Sequence, residues 1–147
     1  MGQFKDYVES NDSDAKASIR KLPKSHRALV RGFSLKFHPS GTLKGDDGHT
    51  GKVEELPNKK NITVASPWYY PREFALLHEI AHLVYAKYLK GGDLEKKWNA
   101  LCMKTKGKVK QNCEEIFCHT YANYYSHNKV VKHDHDNLEE FIKKLPK

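Results

Sequence analysis

The sequence predicts an α+β fold in which a small antiparallel sheet packs on helices. Two observations lead to this prediction. Short stretches of alternating or β-branched residues come before residue 66, and stretches with a helical spacing of apolar residues dominate after residue 71. A chain of 147 residues suits one domain, which is expected to span residues 14–147 after a flexible N-terminus, residues 1–13.

The predicted elements of the first half are short. Residues 14–31 have a helical pattern that contains Pro23, so we expect two short helices with a break at residues 22–24. The Gly-containing residues 38–51 predict a long turn between strands. Three stretches are predicted as strands: Phe33–Phe37, Lys52–Leu56 and Asn61–Ala65.

Helices are expected to fill the second half. The first begins at Pro71, which suits the first helical position, and runs to Leu89, with Gly91 as a left-handed C-cap. Three further helices are predicted at about residues 93–104, 112–128 and 136–145.

Composition limits the possible classes. The net charge of +8 favours acidic partners in general, but the basic residues are scattered and no nucleic-acid-binding motif accompanies them. Nucleic acid is therefore possible but disfavoured as a partner, and a monomer is expected. The absence of a signal sequence and of an apolar run near ~20 residues predicts a cytoplasmic protein without a membrane anchor. The three Cys have no CxxC spacing, so neither disulfides nor a Cys-based zinc site is expected.

The stretch from Phe74 to Ala86 is apolar except for His78, Glu79 and His82, which form the motif HEIAH. Unpaired polar groups in a buried helix are costly, so these three need partners. Two His side chains four residues apart project from one face of a helix and can share one Zn²⁺ ion. The Glu between them can then act as a general base on water. The alternative is a pair of hydrogen-bonded core His with Glu79 as a buried partner.

A catalytic zinc ion normally has three protein ligands, so a third is needed. In the predicted helix at residues 112–128, Glu115 and His119 lie on one stripe that would face the two His. Glu114 lies about 100° away and is expected to face solvent, although a phase error of one residue would exchange the two acids. The His-containing tail, with His127, His133 and His135, is expected to be exposed.

Two segments carry a resemblance to a known family: HEIAH, and the later stretch EIFCHTYANYY from Glu115 to Tyr125. They resemble the zincin-type (HExxH…Glu, gluzincin-like) zinc peptidases related to the catalytic domain of anthrax lethal factor and to the Pro-Pro endopeptidases. The resemblance implies a zinc metalloendopeptidase in which His78, His82 and Glu115 bind the metal and Glu79 is the catalytic base. The resemblance, rather than the composition, also predicts a protein or peptide substrate. Leu22-Pro23 and the strands before the motif are similar to that domain's layout.

The chain departs from the family at two positions. Lys108 stands where the family carries a Tyr that steadies the oxyanion, and Cys118 replaces the usual Ala. Lys108, Lys110 or His119 would have to supply a positive group instead. The alternative function is a zinc-binding module, catalytically weak or inactive, that acts through protein or nucleic-acid binding. For the peptidase, Asn61–Ala65 is expected to be the sheet edge that holds an extended substrate.

Overall fold

A computed structural model describes residues 19–31, 33–38, 51–56, 59–65, 72–106, 113–126 and 136–146. The predicted flexible segment, residues 1–13, lies outside these ranges. The elements, after a helical turn at residues 19–21, are α1 (Lys24–Ala28), β1 (Ser34–His38), β2 (Gly51–Leu56), β3 (Lys59–Ala65), α2 (Arg72–Tyr88), α3 (Asp93–Lys106), α4 (Cys113–Tyr125) and α5 (Asp136–Lys143).

The predicted helices of the second half are confirmed as α2 to α5, with bounds that differ by three residues at most. Gly91 follows α2 with φ of 78°, the left-handed conformation expected of a C-cap glycine. The break in the N-terminal helix is also confirmed, because Pro23 has extended backbone angles and α1 starts at the next residue. Among the described residues, no helix is both long and apolar enough to cross a membrane.

The prediction of an α+β fold with a small antiparallel sheet is wrong. The described residues are mostly helical, and the three short strands form a mixed sheet in the order β1-β3-β2. Two residues separate β2 from β3, and such a short connection requires antiparallel pairing. β1 joins the other side of β3 and runs parallel to it, with Ser34 opposite Asn61. The strands are therefore a minor layer beside the helices.

The sheet order also corrects the prediction that Asn61–Ala65 forms a sheet edge. This stretch belongs to β3, which is paired on both sides. Its Ile62 and Val64 side chains are fully buried and belong to the hydrophobic core. In the described part of the sheet, the edges are β1 and β2, and β2 contacts α2 together with β3.

The core is built around α2, which packs most extensively on α4. The ring of Tyr85 on α2 meets Phe117 on α4 edge-on, with ring centroids 5.4 Å apart. Trp98 on α3 packs on the same Phe117 at 5.4 Å and on Phe141 of α5 at 5.1 Å. The Trp98 indole N–H donates to the carbonyl oxygen of Cys113 at 2.6 Å, which anchors α3 to the start of α4. These contacts hold α4 in one position against α2.

His26 on α1 is fully buried and links three distant parts of the chain. Its Nε2 lies 2.7 Å from the carbonyl oxygen of Pro146, which can only accept, so Nε2 carries the proton. Its Nδ1 then accepts a hydrogen bond from the Tyr121 hydroxyl at 2.8 Å. The Tyr88 ring packs against the imidazole at 5.6 Å. α1 is thereby fixed to α2, to α4 and to the segment after α5.

Replacing His26 by Ala is expected to lower the free energy of unfolding by about 2–4 kcal/mol, because it removes a buried ring and takes away the hydrogen-bond partner of the buried Tyr121 hydroxyl. Urea denaturation followed by circular dichroism measures the change. Arg27 is exposed on the same helix, so Arg27→Ala is the control and should change stability by about 0.5 kcal/mol or less. Equal effects of the two substitutions would contradict the role assigned to His26.

Candidate metal centre

Helix α2 presents the two His of the HEIAH motif on one face. His78 and His82 are separated by one helical turn, and their ring centroids lie 5.3 Å apart with the rings inclined at 70°. Each side chain is 20% exposed, so both rings reach the surface. Glu79, between them in sequence, is buried with 6% exposure. The surrounding helix is apolar, with Leu76, Leu77, Ile80 and Ala81 fully buried.

The Glu115 carboxylate on α4 lies between the two imidazoles. Its Oε2 is 3.0 Å from His78 Nε2, and its Oε1 is 3.2 Å from His82 Nε2. An ionised carboxylate only accepts hydrogen bonds, so each of these ring N–H groups donates a hydrogen bond to it. The structure therefore brings His78, His82 and Glu115 together, because each oxygen of the Glu115 carboxylate contacts one of the two His.

These separations fit a metal site. Zinc binds imidazole nitrogen and carboxylate oxygen at about 2.0–2.2 Å in a tetrahedron, which sets neighbouring ligand atoms about 3.3 Å apart. The two nitrogen–oxygen separations at Glu115 are 3.0 and 3.2 Å. The two contacts use different oxygens of Glu115, so this carboxylate would have to reorient when one Zn²⁺ ion replaces the bridging protons. The donor set, two nitrogens and one carboxylate, is the set that catalytic zinc accepts.

Glu114 also contacts the site, contrary to the expectation that it faces solvent. Its Oε2 lies 2.8 Å from His82 Nδ1, the ring nitrogen that points away from Glu115. A carboxylate on the far nitrogen of a metal-binding His fixes the ring orientation and raises its basicity. The two adjacent acids of α4 thus take different positions, Glu115 between the His and Glu114 behind His82. The signal for this in the sequence is the pair of acids itself, because a His ligand commonly needs a partner on its second nitrogen.

The charges of the site shift two pKa values in opposite directions. Burial lowers the pKa of His82, but hydrogen bonds with Glu115 and Glu114 and the charge of Glu79 outweigh it and raise this pKa to about 9. The hydrogen bonds from His78 and His82 hold the pKa of Glu115 well below its usual range. Without metal, His82 is therefore an imidazolium between two carboxylates at neutral pH.

Cys118 is a potential ligand that the sequence analysis missed. Ligand atoms of His78, His82 and Cys118 all lie within 4.8 Å of one another. The thiol is fully buried, and burial, followed by the charges of Glu115, Glu114 and Glu79, raises its pKa well above the usual value. The sequence does contain a signal for this ligand. Residues three apart on a helix share a face, and Cys118 lies three residues after Glu115.

The remaining predicted site residues are not among these ligands. His119 is half-buried, and its ring packs edge-on against Phe74 at 5.0 Å, one turn before His78 on α2. It lies beside the site and its predicted supporting role stays a prediction. Five further candidates lie outside the described residues: Lys108, Lys110, His127, His133 and His135.

Comparison of the chain with protein-family models, with curated proteins and with solved structures found no match. The resemblance to lethal-factor-like peptidases therefore stays a prediction that rests on the two motif segments.

Zinc affinity is expected to rise at least about tenfold per pH unit between pH 6 and 8, because the ion must displace one proton from His82 and one more from any thiol that also binds it. The sign follows from the raised pKa of about 9, below which the metal-free ring holds that proton. Competition with a chromophoric chelator measures the affinity, and calorimetry in buffers of different ionisation enthalpy counts the released protons. An affinity that is constant over this range would contradict the assignment of His82 as a ligand.

Removing the carboxylate behind His82 should weaken zinc binding without removing a ligand. Glu114→Ala is expected to reduce zinc affinity by about 10- to 100-fold, and Glu114→Gln by less, because its amide oxygen still accepts from Nδ1. The control is Glu140→Ala, which removes only an exposed ion pair with Lys143 and should leave the affinity unchanged. Unchanged zinc affinity in Glu114→Ala would show that this carboxylate does not support the site.

Proposed function

We propose that the protein is a zinc-dependent metallopeptidase in which His78, His82 and Glu115 hold one Zn²⁺ ion. The observation that carries this proposal is the position of the Glu115 carboxylate, within 3.2 Å of an Nε2 nitrogen of both His. A bound zinc ion supplies Lewis acidity, which polarises a peptide carbonyl and lowers the pKa of water. The three side chains contribute the fixed geometry that such an ion needs.

Glu79 is the proposed general base. It follows His78 directly on α2, is buried with 6% exposure, and its charge acts on both His82 and Cys118. A carboxylate in this position takes the proton from water as the water attacks the carbonyl carbon, and then returns it to the leaving amine. Burial limits the orientations that this side chain can adopt, and its charge already acts on two groups of the site.

The proposed substrate is a protein or peptide bound in extended form. A peptide can add a strand to an open sheet edge, where main-chain hydrogen bonds supply affinity for irregular sequences. Of the two edges in the described part of the sheet, β2 contacts the helix that carries the His ligands. We therefore assign substrate binding to β2. Action as a monomer in the cytoplasm completes the proposal.

A second candidate is a zinc-binding module with weak or no hydrolytic activity that acts through binding another protein. The position of Cys118 favours it, because a buried thiol near both His could fill the place that water needs. Digestion of an unbiased peptide library separates the two candidates. Cleavage that depends on zinc supports the peptidase, and stoichiometric zinc with no cleavage supports the binding module.

Glu79→Gln is expected to retain zinc and to reduce peptide cleavage by about 10²- to 10⁴-fold, because the amide keeps the shape of the side chain and cannot accept the proton. Library cleavage rates and metal content by atomic spectroscopy are the two measurements. Glu140→Gln, at an exposed position on α5, is the matched control and should behave as wild type. Wild-type cleavage by Glu79→Gln would exclude it as the base.

A further inference from the structure

Cys118 is the one cysteine that the structure groups with the two His among the described residues. We propose that its sulfur is a ligand of the same zinc ion, so that the resting site is closed by four protein groups. The inference rests on the proposed function, because it uses the same zinc ion held by His78, His82 and Glu115.

On α4, Glu115 contacts both His directly, and Cys118 forms with the same two His a group of potential metal ligands. Cys118 lies three residues after Glu115, so the two side chains project from neighbouring positions on the helix surface. A tetrahedral zinc ion with a sulfur ligand at about 2.3 Å sets sulfur and imidazole nitrogen about 3.6 Å apart. The atoms concerned already lie within 4.8 Å of one another. Rotation about the Cα–Cβ bond of a cysteine and small ring movements cover that difference.

The two other cysteines have different surroundings. Cys102 is fully buried on α3 as part of the hydrophobic core. Cys113, at the start of α4, is half-buried and its carbonyl oxygen accepts the Trp98 indole proton. Only Cys118, in the described part of the chain, combines full burial with proximity to both His. Thiolate, imidazole and carboxylate are all ordinary zinc ligands, so a mixed set of the four groups is chemically consistent.

The closed set has a consequence for activity. A site with four protein ligands keeps no position for water, which is the distinction between structural and catalytic zinc sites. Hydrolysis would require Cys118 to release the ion, with its sulfur taking up a proton from solvent as a neutral thiol. Cys118 would then inhibit hydrolysis at the site where Glu79 is the proposed general base.

Cobalt substitution tests the sulfur ligand directly. Titration of metal-free protein with Co²⁺ should give visible d–d bands of a tetrahedral site together with an intense near-ultraviolet sulfur-to-cobalt charge-transfer band. Cys118→Ala should lose the charge-transfer band, keep the d–d bands, and bind zinc weaker by about a hundredfold or more, since even partners outside a ligand set contribute about 10- to 100-fold. Cys113→Ala, five residues earlier on the same helix, is the matched control and should keep both sets of bands.

X-ray absorption of the zinc-loaded wild-type protein needs no variant and covers the case in which Cys118→Ala fails to fold. One sulfur at about 2.3 Å supports the inference, and a shell of nitrogen and oxygen alone overturns it. A charge-transfer band that survives Cys118→Ala also overturns it. Failure of the proposed function has a different signature: no stoichiometric metal in the wild type, or metal binding that is unchanged in His78→Ala.

Discussion

The packing of α2 on α4 is the contact on which the candidate site depends. His78 and Glu115 are 37 residues apart in sequence, and His82 and Glu114 are 32 apart. No local preference can bring such pairs within hydrogen-bond distance. The aromatic contact between Tyr85 and Phe117 fixes the two helices against each other at the level of the site. A shift of α4 by one residue would turn its acids by about 100°, and Glu115 would no longer lie between the two rings.

The parts of the fold that could be predicted from the sequence are those set by local chemistry. Pro23 breaks the first helical pattern because its ring cannot continue a helix. Gly91 ends α2 because glycine adopts the left-handed conformation readily. Both effects are properties of single residues. The order of the strands is different. β1 pairs directly with β3, in parallel, although β2 comes between them in the chain, and no local feature of β1 specifies that neighbour. The prediction of an antiparallel sheet is wrong at this pairing.

At the site, the spacing of HEIAH sufficed to place two imidazoles on one face, but the roles of the α4 side chains could not be assigned from spacing alone. An imidazole has two nitrogens on opposite sides of the ring, and His82 uses both, one toward Glu114 and one toward Glu115. Two adjacent acids on one helix can therefore both contact the same residue. The position of a residue around a helix predicts whether its side chain faces the core or solvent. It does not predict whether the side chain is a metal ligand or the group that orients a ligand. Cys118 was overlooked for a different reason: the absence of a CxxC spacing argues against a site built from Cys, but it does not argue against a single Cys beside two His.

The hydrogen bond from His26 to the carbonyl of Pro146 spans 120 residues. During synthesis on a ribosome, His26 emerges early and Pro146 much later, so the imidazole cannot obtain this partner until nearly all of the described chain has been made. Until then the buried ring of His26 lacks its contact with the Pro146 carbonyl, and α1 is held less firmly. Among the described elements, α1 would thus become secure late, although it precedes the sheet and the other helices in the chain.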